Sequence, residues 1–444
     1  MNNKRIAVIG SGISGLSAAW LLRDAAEVSL FEADPRFGGH SNTVLIDEGE
    51  REVAVDTGFM VFNRPNYPLL SSLFDQIGIQ SYPTDMSFSV SLDRGRLEYA
   101  GSNLNTLFAQ RKNLVRPSFL RMLSDILRFN SAVKTLLRDG GRDRESLADF
   151  LDRHRLGERF RKDYLYPMAA AIWSCPRDSV AAFPALSFAR FFHNHGLVNL
   201  QDRPQWHTLV GGSSAYVKRL VDDLGGRAQA GRPVEAVVRQ ANSMAVILER
   251  GEIRHFDDVV FACHSDQALR LFRNASPSEA AMLRAVPYQP NRVLLHTDAS
   301  LMPRRRSVWS SWNYLGGRDR QGDEAVSVTY WMNSLQALDT DTDYFVSLNP
   351  LVEPDPAEVV QELAYDHPVF DANSLGLQQQ LAQLQGRDRA WFCGAWTGYG
   401  FHEDGMRSGV EVAQRLGATL PWAEQLRASH ALAARPPELE AQAA

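Results

Sequence analysis

Arg5-Ile-Ala-Val-Ile-Gly10-Ser11-Gly12-Ile-Ser14-Gly15 decides how this chain of 444 residues is read. Ile6 to Ile9 is an apolar run of the kind that forms a buried parallel strand, and Leu16 to Leu22 continues as a helix. Between them three glycines stand in the spacing Gly-x-Gly-x-x-Gly. Gly10 permits a tight turn, Gly12 lets a phosphate approach the backbone, and Gly15 lets helix and strand pack closely. With Ser11 and Ser14 in the same loop, the helix N-terminus offers free N–H groups and the positive end of its dipole to a pyrophosphate. A second apolar strand, Val28 to Phe31, ends in Glu32, 22 positions after Gly10, where a carboxylate accepts from ribose hydroxyls. The pattern predicts a dinucleotide cradled at the first strand–helix turn of an α/β fold.

The rest of the composition narrows the class. Apolar residues make up 44% and charged residues 22%, which is ordinary for a globular protein, and the length calls for two joined domains. A net charge of −5 sets nucleic acid aside as a partner. Cys175, Cys263 and Cys393 are too dispersed for a disulfide framework or a metal site and fit a reducing compartment. The chain enters a strand at once, leaving no room for a signal peptide, and lacks a run of about 18 apolar residues to span a bilayer. A cytoplasmic protein is expected, with peripheral contact at the inner membrane face left open.

Downstream of Glu32 come Ala33-Asp-Pro-Arg36-Phe-Gly38-Gly39-His40 and, after a strand at Glu52 to Val55, Asp56-Thr-Gly58-Phe59-Met60. Adjacent glycines let the backbone approach a phosphate or ring edge, and Arg36 is placed to neutralise phosphate charge. The order Gly-x-Gly-x-x-Gly, Glu-Ala, Arg-x-Gly-Gly, Asp-x-Gly resembles the superfamily of flavin-dependent amine oxidases, phytoene desaturases and protoporphyrinogen oxidases. That resemblance implies FAD rather than NAD, with Gly38-Gly39 along the cofactor and Ala33, Arg36, His40, Phe59 and Met60 among its contacts. It resumes at Arg232-Pro-Val234, implying that the Val234 backbone meets the adenine side. It resumes again at Gly394-Ala-Trp-Thr-Gly-Tyr399-Gly-Phe401-His402-Glu403-Asp404-Gly405-Met406, a loop implied to close over the flavin, with Gly394, Asp404, Gly405 and Met406 as contacts. Cys393 does not sit where membrane-bound relatives attach their flavin, which implies non-covalent FAD.

The expected architecture is α/β: a Rossmann-like FAD-binding domain built from 1–65, 210–275 and 385–420. An α+β substrate domain is inserted as 66–209 and 276–384, and 421–444 forms a solvated tail. The inserted segments are rich in aromatic residues, notably 164–207 and the strand-like stretches around Trp312 and Tyr330, which suits a greasy pocket. His193 and His195 alternate as on a strand or loop and lack Cys or carboxylate partners for a metal. Cys175 reads as a buried structural thiol. From Asn105 to Arg138 seven Lys or Arg stand against one acid, Asp125, with apolar residues from Phe119 to Leu137 near helical spacing. The stretch is either an amphipathic helix covering the domain or a basic surface for anionic lipid headgroups.

No Ser-His-Asp, paired-carboxylate or metal pattern competes with flavin chemistry. Where amine oxidases place a water-holding Lys, the chain offers Arg292, or Asn291 one register away. Tyr399, Phe401 and His402 stand in shifted positions relative to the family's aromatic pair. His402 and Glu403 are the candidate acceptors of a substrate proton. Phrases such as Tyr330-Trp-Met-Asn333 and Gly398-Tyr-Gly-Phe-His-Glu-Asp-Gly405 are similar to a bacterial subgroup associated with cyclopropane and furan fatty acid modification. The expectation is an FAD-dependent desaturase or oxidase acting on an unsaturated or methyl-branched acyl chain of a phospholipid. The alternatives are a small-amine oxidase and a non-catalytic flavin-binding scaffold for a lipid methyltransferase.

Overall fold

The computed structural model describes residues 4–140, 145–173, 180–199, 203–318, 324–369 and 377–426. Cys175 and the last part of the expected tail lie outside them.

Five parallel strands carry the cofactor motifs. In spatial order they are Ala390–Phe392, Asp258–Phe261, Arg5–Ile9, Glu27–Phe31 and Ala228–Gln229. Alternate residues serve two cores, as the two-residue period of a strand requires. Ile6, Val8, Leu30 and Val260 pack on one face, while Ala7, Phe31, Val259 and Phe261 pack on the other. The apolar runs read from the sequence are apolar because both faces are covered. One sheet is thus assembled from three stretches that are far apart in the chain.

On the first face lies helix α1 (Ile13–Leu22), buried along its whole length. Further along the chain come α2 (Pro68–Ile77), α3 (Pro117–Asp139), α4 (Ala185–Asn194), α5 (Ser214–Leu224) and α6 (His402–Arg415). Helix α6 crosses α1 so closely that a Cβ on Gly409 would stand 2.4 Å from the Ser14 carbonyl oxygen. A Cβ on Gly405 would likewise stand 2.8 Å from Ile13, so the first turns of α1 and α6 lie side by side.

A seven-stranded sheet forms the second body. Its order is Val359–Pro368, Tyr288–His296, Phe345–Leu348, Glu324–Trp331, Trp312–Arg318, Phe88–Leu92 and Leu97–Ala100. The pairing of Trp312–Arg318 with Phe88–Leu92 is parallel and stitches the two inserted segments together. Helix α3 begins with Pro117 at its first turn and stops at Gly140, whose φ of 80° is left-handed. Its Phe119, Met122, Phe129 and Val133 are buried with Phe150, Phe160 and Phe192, so the apolar stripe in the basic stretch covers a core. His193 lies in α4 and His195 caps it, not on a strand or loop as their alternation predicts. Ala185, Phe188, Ala189 and Phe192 recur at helical spacing and outweigh the two-residue pattern. Among the described residues no helix is long and apolar enough to cross a membrane.

Candidate cofactor and reaction site

The cradle is a set of backbone contacts that exclude side chains. Gly10 takes φ 102° and donates its N–H to the Phe31 carbonyl at 2.8 Å, and a Cβ there would lie 2.8 Å from the Ala262 oxygen. A Cβ on Gly15 would sit 1.9 Å from the Gly10 oxygen, which is the close turn-to-helix packing that the spacing predicts. Around the Cβ position of Gly12, by contrast, no atom lies within 4 Å, and the floor of the loop is open. Ser11 N and Oγ donate to Glu32 Oε2 at 2.8 and 2.5 Å, and Gly38 N donates to Ser11 Oγ at 3.1 Å. Ser14 is buried in the first turn of α1, and Gly39 comes up against the backbone of Gly12. The first loop, the Glu32 carboxylate and the glycine pair are therefore fastened to one another. Ala33 follows at the exposed rim, and Arg232 N donates to the Glu32 carbonyl at 2.8 Å, bringing Val234 to the same end.

Two polar atoms bear on what the cradle fits. Arg36 Nη1 and His40 Nε2 are buried without a hydrogen-bond partner. A buried guanidinium N–H is rarely left unpaired, and the Arg36 donor fits a phosphate of a dinucleotide. The His40 ring lies 5.5 Å from His367, 6.1 Å from His264 and 4.7 Å from Tyr365. Burial, and then the neighbouring imidazole of His367, pushes His40 well below the usual histidine range, so it is neutral.

The other end of the site is organised around the first residue of α6. The ring of His402 stacks on Phe59 with centroids 3.9 Å apart and planes 8° from parallel. Its Nε2 lies 2.8 Å from the Tyr216 hydroxyl and 3.1 Å from Ser41 Oγ, and those two hydroxyls are 2.5 Å apart. Burial pushes the imidazole down to about 3 and the Tyr216 phenol well above its usual range. Phe59 is set in place by its own N–H, which donates to the His40 carbonyl at 2.8 Å, beside a Gly58 with no room for a Cβ. A second run of ring contacts starts at Phe401, the residue before His402 in the chain. Phe401 packs on Phe191 (4.9 Å), Phe191 on His195 (3.9 Å), His195 near Trp206 (6.4 Å) and Trp206 near Tyr67 (6.3 Å). Sequence reasoning missed Ser41 and Tyr216. A buried phenol needs a partner, but nothing local in Gly211-Gly212-Ser-Ser-Ala-Tyr216 announces that the partner is residue 402.

Several expected site residues turn out to do structural work. Glu403 is not placed as a proton acceptor, because its two oxygens accept from Leu69 N (2.9 Å) and Leu70 N (3.0 Å) and so close the N-terminus of α2. Burial raises its carboxyl to about 7. Asp404 likewise accepts from Tyr399 N (3.0 Å) and Phe401 N (3.1 Å), tying the glycine-rich loop to α6. Arg292 points away from the site. On its strand the two-residue alternation sends it outward to Glu353 and Glu362, while Asn291 is the buried neighbour, 3.1 Å from His367 Nδ1. Met60 and Met406 keep their side chains in separate cores, leaving only their backbones for a ligand. Gly394 donates its N–H to Ser408 Oγ, and Gly405 fits against Ile13. Cys393 is fully buried with its thiol pushed up, and burial takes Cys263 up to about 12, so neither is a reactive thiolate.

Residues 13–417, nearly the whole described chain, match the family model for flavin containing amine oxidoreductases. The chain belongs to that family. It is an FAD-dependent oxidoreductase, and the unpaired Arg36 donor and the open glycine loop fit such a cofactor. This flavoenzyme is 25% identical over 201 residues to protoporphyrinogen oxidase 2, chloroplastic/mitochondrial, of Arabidopsis thaliana, a match covering 42% of this chain and 36% of that protein. Among solved structures it shares its fold with the CLA-producing fatty acid isomerase from P. acnes (TM-score 0.66, 14% identity, 94% of this chain and 100% of the other). It shares it equally with cyclohexylamine oxidase from Brevibacterium oxydans IH-35A (TM-score 0.67, 16% identity, 96% and 100%).

Proposed function

We propose that this flavoenzyme oxidises a hydrophobic substrate, an unsaturated or methyl-branched acyl chain of a phospholipid. The observation that carries the reading is the density of aromatic rings around His402: Phe59 stacked on it, and a separate run of ring contacts from its chain neighbour Phe401 through Phe191, His195 and Trp206 to Tyr67. Flat apolar rings hold an acyl chain by area burial and keep water from the reacting carbon. An ammonium substrate would call for a free carboxylate, whereas Glu403 and Asp404, the two nearest His402 in sequence, are both engaged by backbone N–H groups. The fatty acid isomerase of the same fold supports the substrate class.

Bound FAD would supply the hydride acceptor for such an oxidation. Tyr216 and Ser41 hold Nε2 of His402, which leaves Nδ1 as the ring nitrogen for the proton that departs from the adjacent carbon as the double bond forms, although burial makes this imidazole a weak base. Tyr216 fixes the ring through a hydrogen bond that survives when the imidazole becomes charged. Lipid mass spectrometry of cells with and without the gene tests the reading. The expected result is loss of an acyl species two hydrogens lighter than its precursor, and an unchanged lipid profile overturns it.

A further inference from the structure

The exposed side of α3 and the turn before it carry a surface that the cofactor site does not use. Ten large apolar side chains are exposed among the described residues, and five of them (Leu104, Leu114, Val115, Leu120 and Leu127) fall between residues 104 and 127. Val115 is 81% exposed and Leu127 54%. They are not the stripe from Phe119 to Leu137 that covers the core. On α3, Leu120, Ser124, Leu127, Ser131, Lys134 and Arg138 follow one another at spacings of four and three and are all exposed, so they form one solvent-facing line. Cations flank it. Arg128 and Arg138 pair with Asp125 and Asp139, but Lys112, Arg116, Arg121 and Lys134 make no ion pair among the described residues. They collect on a chain whose net charge is −5.

We infer that this face is a docking surface for an anionic phospholipid bilayer, with Leu114, Val115 and Leu120 entering the headgroup–acyl boundary and the unpaired cations on lipid phosphates. Apolar insertion and basic attraction act together at such surfaces, and neither half alone calls for the other. A second copy of the chain fits less well, because a two-fold contact would set four unpaired cations against the same four. The inference stands apart from the substrate reading, since it concerns binding without turnover.

The test uses the full chain loaded with FAD, floated with vesicles of phosphatidylcholine alone or mixed with phosphatidylglycerol. Binding is expected only to the mixed vesicles and is expected to weaken as salt rises. The triple change Lys112→Gln, Arg116→Gln and Arg121→Gln is expected to lower the partition constant by about 100-fold, on the order of fivefold per cation. Val115→Ser with Leu120→Ser is expected to abolish the part of the binding that survives high salt. The paired change Lys218→Gln and Arg219→Gln on α5 is expected to leave binding unchanged. FAD content reports that each variant folds. Absence of flotation with the mixed vesicles overturns the inference, as does equal flotation of the triple variant. A lipid-free dimer that Leu120→Ser dissociates, with no vesicle binding, assigns the face to a second copy instead.

Discussion

His402 stays neutral at pH values where a histidine of an unfolded chain is charged, and this has a consequence for stability. Its pKa falls from 6.5 to about 3 on folding because burial penalises the cation. The unfolded state therefore binds the extra proton, and the contribution is complete above pH 6.5 and lost as pH falls toward 3. His402→Phe is expected to flatten the fall of unfolding free energy below pH 6.5, by up to about 1.4 kcal/mol per pH unit, in urea titrations at a series of pH values. Identical slopes for the two proteins would contradict the burial. Arg292 is the converse case. Its exposed pairs with Glu353 and Glu362 contribute on the order of 0–1 kcal/mol, so Arg292→Ala is expected to change neither stability by more than that nor the rate of flavin reduction. A tenfold slower reduction would return Arg292 to the site. Both residues show where reading by position ends. The loop at residue 402 was visible as a motif, but the partners at 41 and 216 come only with packing. A strand shifted by one register exchanges an inward Asn291 for an outward Arg292.

At the scale of elements, the apolar stripe of α3 and the first glycine turn are legible because their causes are local, whereas the bounds of α3 come from the structure. Pro117 and Gly140 bracket α3, and apolar spacing makes its buried stripe. The histidine alternation at 193 and 195 misled because two residues cannot outvote a helical apolar pattern across α4. Glu403 was read as chemistry since a carboxylate beside a cofactor loop looks the same in sequence whether it faces a substrate or a helix end. Its carboxylate holds the first turn of α2, so Glu403→Gln replaces one acceptor by a donor facing a backbone N–H. The expected cost is about 1–2 kcal/mol of stability, measured by chemical denaturation, with flavin reduction at the original rate. Retained stability with abolished reduction would show that Glu403 acts on the substrate after all.

For the whole molecule, three distant stretches rebuild one parallel sheet, and α1 and α6, nearly 400 positions apart in the chain, cross at Ser14 and Gly409. Each motif was readable alone; that they share a site follows from the order of strands Ala390–Phe392, Asp258–Phe261 and Arg5–Ile9, which no local pattern encodes. What the fold leaves open is the substrate, because the same architecture serves a fatty acid isomerase and a cyclohexylamine oxidase. The lipid reading proposed above rests on the aromatic rings around His402. The most direct measurement is anaerobic mixing of the FAD-loaded protein with dispersed membrane phospholipid or with small amines, followed by the flavin absorbance. Bleaching by the lipid and none by the amines is the expected result. Bleaching by an amine, with the lipid inert, would contradict the account.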